Sequence, residues 1–243
     1  MVGSRVVVVI TGASSGVGRA LSIEMSKNPL HHIVLVARDR QKLKEVKKNI
    51  AALGGSVDYF SADVAIKDDI LALTDFIRDA FGKVNILVNN AGVGIFKPLI
   101  ETEEEEWLLM NDTMVYGTFL ACKYLIPLML KTKPDEKRHI VINSSYWGLE
   151  GKTPRCTAYI AAKFAQRGLS LSLREELRKE NVKVTCLLPG SIDTPFFETG
   201  EGWSHDPDRI LNPVELAGAI NDILKYRGNL NVEEVVIQAI DPD

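Results

Sequence analysis

What constrains this chain most is the way short β-branched runs alternate with helical stretches from one end to the other. "RVVVVI", "IVLVAR", "VDYFSA", "NILVNN", "HIVINS", "VKVTCLL" and "EEVVIQA" read as strands. They are continuous apolar runs and not polar–apolar alternations, the pattern of parallel strands buried on both faces. Helical segments lie between them near 17–27, 39–53, 67–82, 103–131, 157–180 and 213–226. Strict alternation predicts an α/β fold, a doubly wound parallel sheet of seven strands flanked by helices. A length of 243 residues with no linker, repeat or low-complexity tract reads as a single domain, 1–243.

Helix punctuation agrees. In "TEEEEW", Thr102 sits at an expected N-cap with Glu105 three positions on, a capping box, and the acidic run fills the positive first turn. Asn212 before Pro213 marks the start of the last helix. The one long irregular stretch, about 190–212, has the length of a functional lid or an unstructured loop.

Composition narrows the function. The chain is 46% hydrophobic and 25% charged, with a net charge of −3, so it lacks the basic footprint of a nucleic-acid binder. Cys122, Cys156 and Cys186 form no CxxC or Cys/His cluster, which argues against a disulfide framework or a metal site and for a cytoplasmic protein with reduced thiols. The apolar run at the N-terminus is too short to span a bilayer, so no membrane association is expected.

"VVVVITGASSGVGRAL" is strand, glycine turn and helix. Gly12, Gly16 and Gly18, with Ser14, Ser15 and Val17 among them, let the backbone turn tightly against a diphosphate at a helix N-terminus, as in Rossmann-like folds. Ribose specificity is set about twenty residues on, where the chain reads "VLVARDRQKL". Ala37 ends the strand, and Arg38, with Arg40 close by, offers a guanidinium suited to a 2′-phosphate. NADP(H) is therefore expected over NAD(H). Asp39 is the counter-signal, and it fits equally well as a helix N-cap.

"AYIAAKFA" sets Tyr159 and Lys163 one helical turn apart among small residues, which leave room beside a phenol and an ammonium. Here the chain resembles the compact branch of the short-chain dehydrogenase/reductase family along nearly its whole length. "TGASSGVG" resembles the family's cofactor loop, "ADV" with Asp63 and Val64 its adenine contact, and "NNAG" with Asn90, Ala91 and Gly92 its fourth-strand motif. "INSS" and "AYIAAK" resemble its catalytic serine and YxxxK pair, and "PGSIDT" with Pro189, Gly190, Ile192 and Thr194 its nicotinamide-side loop. The resemblance implies reduction of a carbonyl to an alcohol, or the reverse, with hydride from the nicotinamide and a proton from Tyr159. Lys163 would favour the phenolate: at about 4 Å the attraction is about 4 kcal/mol. That corresponds to roughly three pKa units at most. It would also hold the nicotinamide ribose, while a serine steadies the substrate oxygen. Ser145 is one residue further from Tyr159 than the family pattern has it, but Gly148 and Gly151 follow in step, which places the insertion near "KTP". Ser145 is thus the expected catalytic serine and Ser144 a structural one.

One motif departs. Where the family usually carries a helix asparagine that holds a water chain from the lysine, this chain has Met114. Asn111, one turn earlier, is a candidate substitute. The alternatives are a relay through other groups, or a catalytically impaired NADP(H)-binding sensor or interaction protein. The expected substrate pocket includes Val93, Phe96, Trp147 and the stretch Phe196 to Trp203, which fits an apolar or aromatic carbonyl; Lys152 and Arg155 offer a lesser possibility of binding an acid. Apolar stretches in 115–130 are consistent with the homodimers or homotetramers that the resemblance implies.

Overall fold

The computed structural model describes residues 5–133, 135–197, 210–226 and 228–240. Seven parallel strands form one sheet: β1 (Val6–Thr11), β2 (His31–Ala37), β3 (Ser56–Ser61), β4 (Ile86–Asn89), β5 (His139–Asn143), β6 (Lys183–Pro189) and β7 (Glu234–Ile237). Their order is β3-β2-β1-β4-β5-β6-β7, so the chain reverses direction across the sheet between β1 and β4. In open α/β sheets that switch point opens the crevice where ligands bind.

The helices are α1 (Gly16–Ser26), α2 (Arg40–Ala52), α3 (Lys67–Phe81), α4 (Glu104–Asn111), α5 (Gly117–Met129), α6 (Thr157–Leu177) and α7 (Pro213–Ile223). Two cores form because successive strand residues face opposite sides. Val7 and Val9 of β1 join the core under α3, α5 and the end of α6. Val8 and Ile10 join the core under α1, α2 and α7. This double burial is why the strands read as unbroken apolar runs.

Three expectations need correction. The helix over 103–131 is not continuous: a π-helical turn, Asp112–Tyr116, separates α4 from α5. The capping box lies one residue later than expected. Glu103 is the N-cap and pairs reciprocally with Glu106, while the Thr102 hydroxyl donates to the carbonyl of Pro98. Once that hydroxyl is bonded backwards, Glu103 is the next oxygen able to accept from the first turn. Strand β2 also starts at His31, ahead of its apolar run, because both His31 and His32 are buried. His31 Nδ1 lies 3.0 Å from the carbonyl of Met25, and His32 Nδ1 lies 2.8 Å from Ser56 Oγ.

Candidate active site

The C-terminal strand ends surround a cleft of about 740 Å³. At one end lies the turn between β1 and α1. Gly12 and Gly16 take φ of 65° and 50°, left-handed values that favour glycine. A Cβ on Gly18 would lie 2.3 Å from the Gly12 carbonyl oxygen, so Gly18 does not line the cleft but lets α1 pack beneath it. The cleft wall here is Gly12, Ser14, Ser15, Gly16 and Val17. The Ser15 side chain makes no capping bond, and no acidic residue lies in the first turn of α1. The positive end of that helix is thus left to an anion.

Asn90 holds the turn in place. Its Nδ2 donates to the carbonyls of Thr11 and Gly12 at 3.1 and 3.4 Å, and its Oδ1 accepts from Asn143 Nδ2 at 2.9 Å. The backbone N–H groups of Asn90 and Ala91 both donate to Thr11 Oγ1. One side chain therefore ties β1, β4 and β5 together, and Asn90, Ala91 and Gly92 line the cleft.

At the end of β2, Ala37, Arg38, Asp39 and Lys42 form the rim, facing Asp63 and Val64. The Arg38 side chain is 62% exposed, its Nη1 3.8 Å from Asp63 Oδ2. Asp39 caps α2, Oδ1 accepting from the N–H groups of Gln41 and Lys42. Arg40 is instead bonded to the Tyr59 phenol, pulling its pKa down, and does not line the cleft. Lys42 was not foreseen; its place three residues after the capping aspartate, on the first turn of α2, was the available signal.

At the other end, β5 and α6 bring Ser145, Tyr159 and Lys163 to one wall. Tyr159 is 7% exposed. The rings of Phe96, Trp147 and Phe196 surround it, with centroids 5.4, 5.9 and 5.8 Å away. Burial pushes its phenol above the ordinary 10, opposed by a hydrogen bond with Ser145. Lys163 Nζ lies over the ring, 5.5 Å from its centroid, and donates to the Asn143 carbonyl and to Gln166 Oε1, each at 2.9 Å. Burial brings its pKa down to about 7. In this cleft burial outweighs the stabilisation of the phenolate expected from the ammonium. Desolvation dominates both groups, because three aromatic edges dry the ring and the lysine sits in the interior.

The adjacent serines face different partners. Ser144 Oγ donates to the backbone carbonyl of Lys163 at 2.8 Å, while Ser145 faces Tyr159 and its Oγ accepts the Trp147 N–H. Asn111 is not brought to the cleft: its Nδ2 donates to the Trp107 carbonyl, one turn back on its own helix. Met114 is fully buried, and a Cβ on Gly92 would lie 3.6 Å from its Sδ. Gln166, which nothing in the motif pattern indicated, contacts both Lys163 and the Met114 carbonyl.

Pro189, Gly190, Ile192 and Thr194 line the cleft, and the Thr194 methyl packs close to Gly16. Val93 and Trp147 are on the wall, while Phe96 packs behind Tyr159. Lys152 pairs with Glu150, and neither it nor Arg155 lines the cleft. The expected pocket residues from 198 to Trp203 lie outside the described residues, as does the rest of the loop to 209. Among the described residues no helix is long and apolar enough to cross a membrane.

Residues 6–204 match the family described as short chain dehydrogenase. An uncharacterized oxidoreductase of Staphylococcus saprophyticus is 33% identical over 239 residues, covering 96% of this chain and 97% of that one. A sepiapterin reductase of Chlorobaculum tepidum is 29% identical over 247 residues, covering 98% of this chain and 97% of that one. Among solved structures, an alcohol dehydrogenase from the archaeon Thermococcus sibiricus, complexed with 5-hydroxy-NADP, superposes with a TM-score of 0.89. It is 27% identical, with 99% of this chain and 100% of that one covered.

Proposed function

The chain belongs to the short chain dehydrogenase family of oxidoreductases, and we propose that it reduces a ketone or aldehyde to an alcohol, or runs the reverse, using NADP(H). The observation that carries this reading is the convergence of Ser145, Tyr159 and Lys163 on one wall of a cleft whose far end is a glycine turn at a helix N-terminus. The residues present fit a dinucleotide: the uncapped start of α1 suits the diphosphate, and Asp63 and Val64 suit the adenine side. Arg38 and Lys42 on the rim favour a 2′-phosphate, and with it NADP(H) over NAD(H). When bound, the reduced nicotinamide supplies the hydride.

The chain's own groups do the rest. Ser145 Oγ donates a hydrogen bond to the carbonyl oxygen, where negative charge develops, and Tyr159 gives that oxygen its proton. Lys163 steadies the phenolate left behind and offers its remaining N–H to the cleft. Pro189, Gly190, Ile192 and Thr194 bound the nicotinamide side. Val93, Trp147 and Phe196 make the pocket apolar, which favours an apolar or aromatic carbonyl.

Trp107, Leu108, Leu109, Tyr116 and Phe119 are exposed on α4, the π-turn and α5, an apolar face suited to a second copy of this chain. Light scattering on the purified protein tests that assembly. The catalytic reading is tested by NADPH oxidation against a panel of ketones, diketones, quinones and aldehydes. Turnover that disappears in Tyr159→Phe supports it; NADPH binding without turnover on any compound counts against it.

A further inference from the structure

Lys163 is held from below by a side chain outside the motifs. Gln166 lies three residues further along α6 and is fully buried. Its Oε1 accepts from Lys163 Nζ at 2.9 Å. Its Nε2 donates to the Met114 carbonyl at 3.0 Å and to Thr118 Oγ1 at 3.1 Å. The Thr118 hydroxyl donates to the same Met114 carbonyl at 2.6 Å. An amide has two N–H donors and one acceptor oxygen, and all three functions are engaged here.

We propose that Gln166 is the positioning residue of this site: its amide clamps the Lys163 ammonium beneath Tyr159 by tying it to the Met114 carbonyl on the facing helix. The inference deepens the oxidoreductase reading and rests on it. It accounts for two features together. The π-helical turn over Asp112–Tyr116 contains Met114, whose carbonyl takes two side-chain donors. Turns of this kind recur at functional sites, where local unwinding redirects a backbone group. The Met114 thioether, in turn, has no polar task, because the carbonyl of the same residue is bonded directly by the Gln166 amide. Lys163 has three N–H groups. Asn143 and Gln166 take two, which leaves one for a ligand in the cleft.

Gln166→Leu keeps the volume close and removes the acceptor; Gln166→Glu keeps the acceptor and adds charge. Lys163 is followed directly by NMR of lysine-labelled full-length protein, assigned with Lys163→Met, so the first readout needs no turnover. The leucine variant should lower the Lys163 titration midpoint by about one unit, the scale of one hydrogen bond to a charged group. The glutamate variant should raise it, since a carboxylate favours the ammonium. With an active carbonyl compound, kcat in the leucine variant should fall about tenfold with KM within twofold, and its pH profile should move with the lysine. Unchanged lysine titration in both variants overturns the proposal, as does a loss of thermal stability alone with kcat and pH profile intact. Should the leucine variant fail to fold, the glutamate variant decides on titration and pH profile. Wild-type protein without turnover on any compound would count against the oxidoreductase reading, and the titration would still judge Gln166.

Discussion

At the glycine turn the cleft is built from backbone. Gly12 and Gly16 supply left-handed φ, Gly18 supplies absence of a side chain, and Thr11 and Asn90 lock main-chain groups in place. At the tyrosine wall it is built from side chains: three aromatic rings around Tyr159, and a lysine held by a carbonyl and an amide. Backbone sites tolerate no added atom but present much the same surface whatever the neighbours; side-chain sites depend on who the neighbours are. The first half suits a ligand common to many proteins, and the second a substrate particular to one.

The largest test of that contrast is Tyr159→Phe. It should lower turnover about 10³-fold while leaving NADPH affinity within twofold, as read by oxidation assay and fluorescence titration. Parallel loss of affinity would mean the two halves are not separable. Gly18→Ala should do the reverse. Its methyl would meet the Gly12 carbonyl, destabilising the fold by about 2 kcal/mol in denaturant titration and weakening NADPH binding, while the tyrosine wall keeps its packing. Arg38→Ala should weaken NADPH about tenfold and NADH hardly at all, the loss expected for a charge-assisted hydrogen bond; equal weakening of both would remove the 2′-phosphate from Arg38.

Smaller effects come from pH. Lys163 titrates near 7 in the folded chain against an ordinary 10.5. Between those values the unfolded state binds more protons, so stability of the ligand-free protein should climb as pH rises from about 7 towards 10. Above 10 the raised Tyr159 pKa acts oppositely, because the unfolded phenol ionises while the folded one does not. Lys163→Met should flatten the climb in denaturant titrations across that range; an unchanged slope would assign it to other groups. Smallest of all, Phe196→Ala should let water reach Tyr159 and bring its phenol titration down towards 10 in ultraviolet absorbance.

The same contrast governs what could be read in advance. Strands, helices and the glycine turn were legible, because buried parallel strands and backbone turns impose residue types at fixed spacing. Ser145 was reached by counting from Gly148 and Gly151. Three features were not legible. The π-turn carries a carbonyl, that of Met114, bonded from α6 by Gln166, a contact that propensity within α4 and α5 does not encode. Gln166 sat in plain view, a polar residue one turn after Lys163 in "KFAQ", yet its significance requires knowing that Met114 lies opposite. The phenol's upward shift comes from burial among Phe96, Trp147 and Phe196, a packing outcome with no local signature.

Ser144 and Ser145 carry one more consequence. In extended chain, neighbouring side chains leave on opposite sides; Ser144 reaches the Lys163 carbonyl and Ser145 reaches Tyr159. A single residue added within β5 would exchange the two hydroxyls, sending the structural one to the phenol and the other to the helix. A residue added in the loop between Gly151 and α6 would do no such harm, since Arg155 there already turns the chain at φ 62°. Descendants of this chain can therefore gain or lose length at the loop and not at the strand.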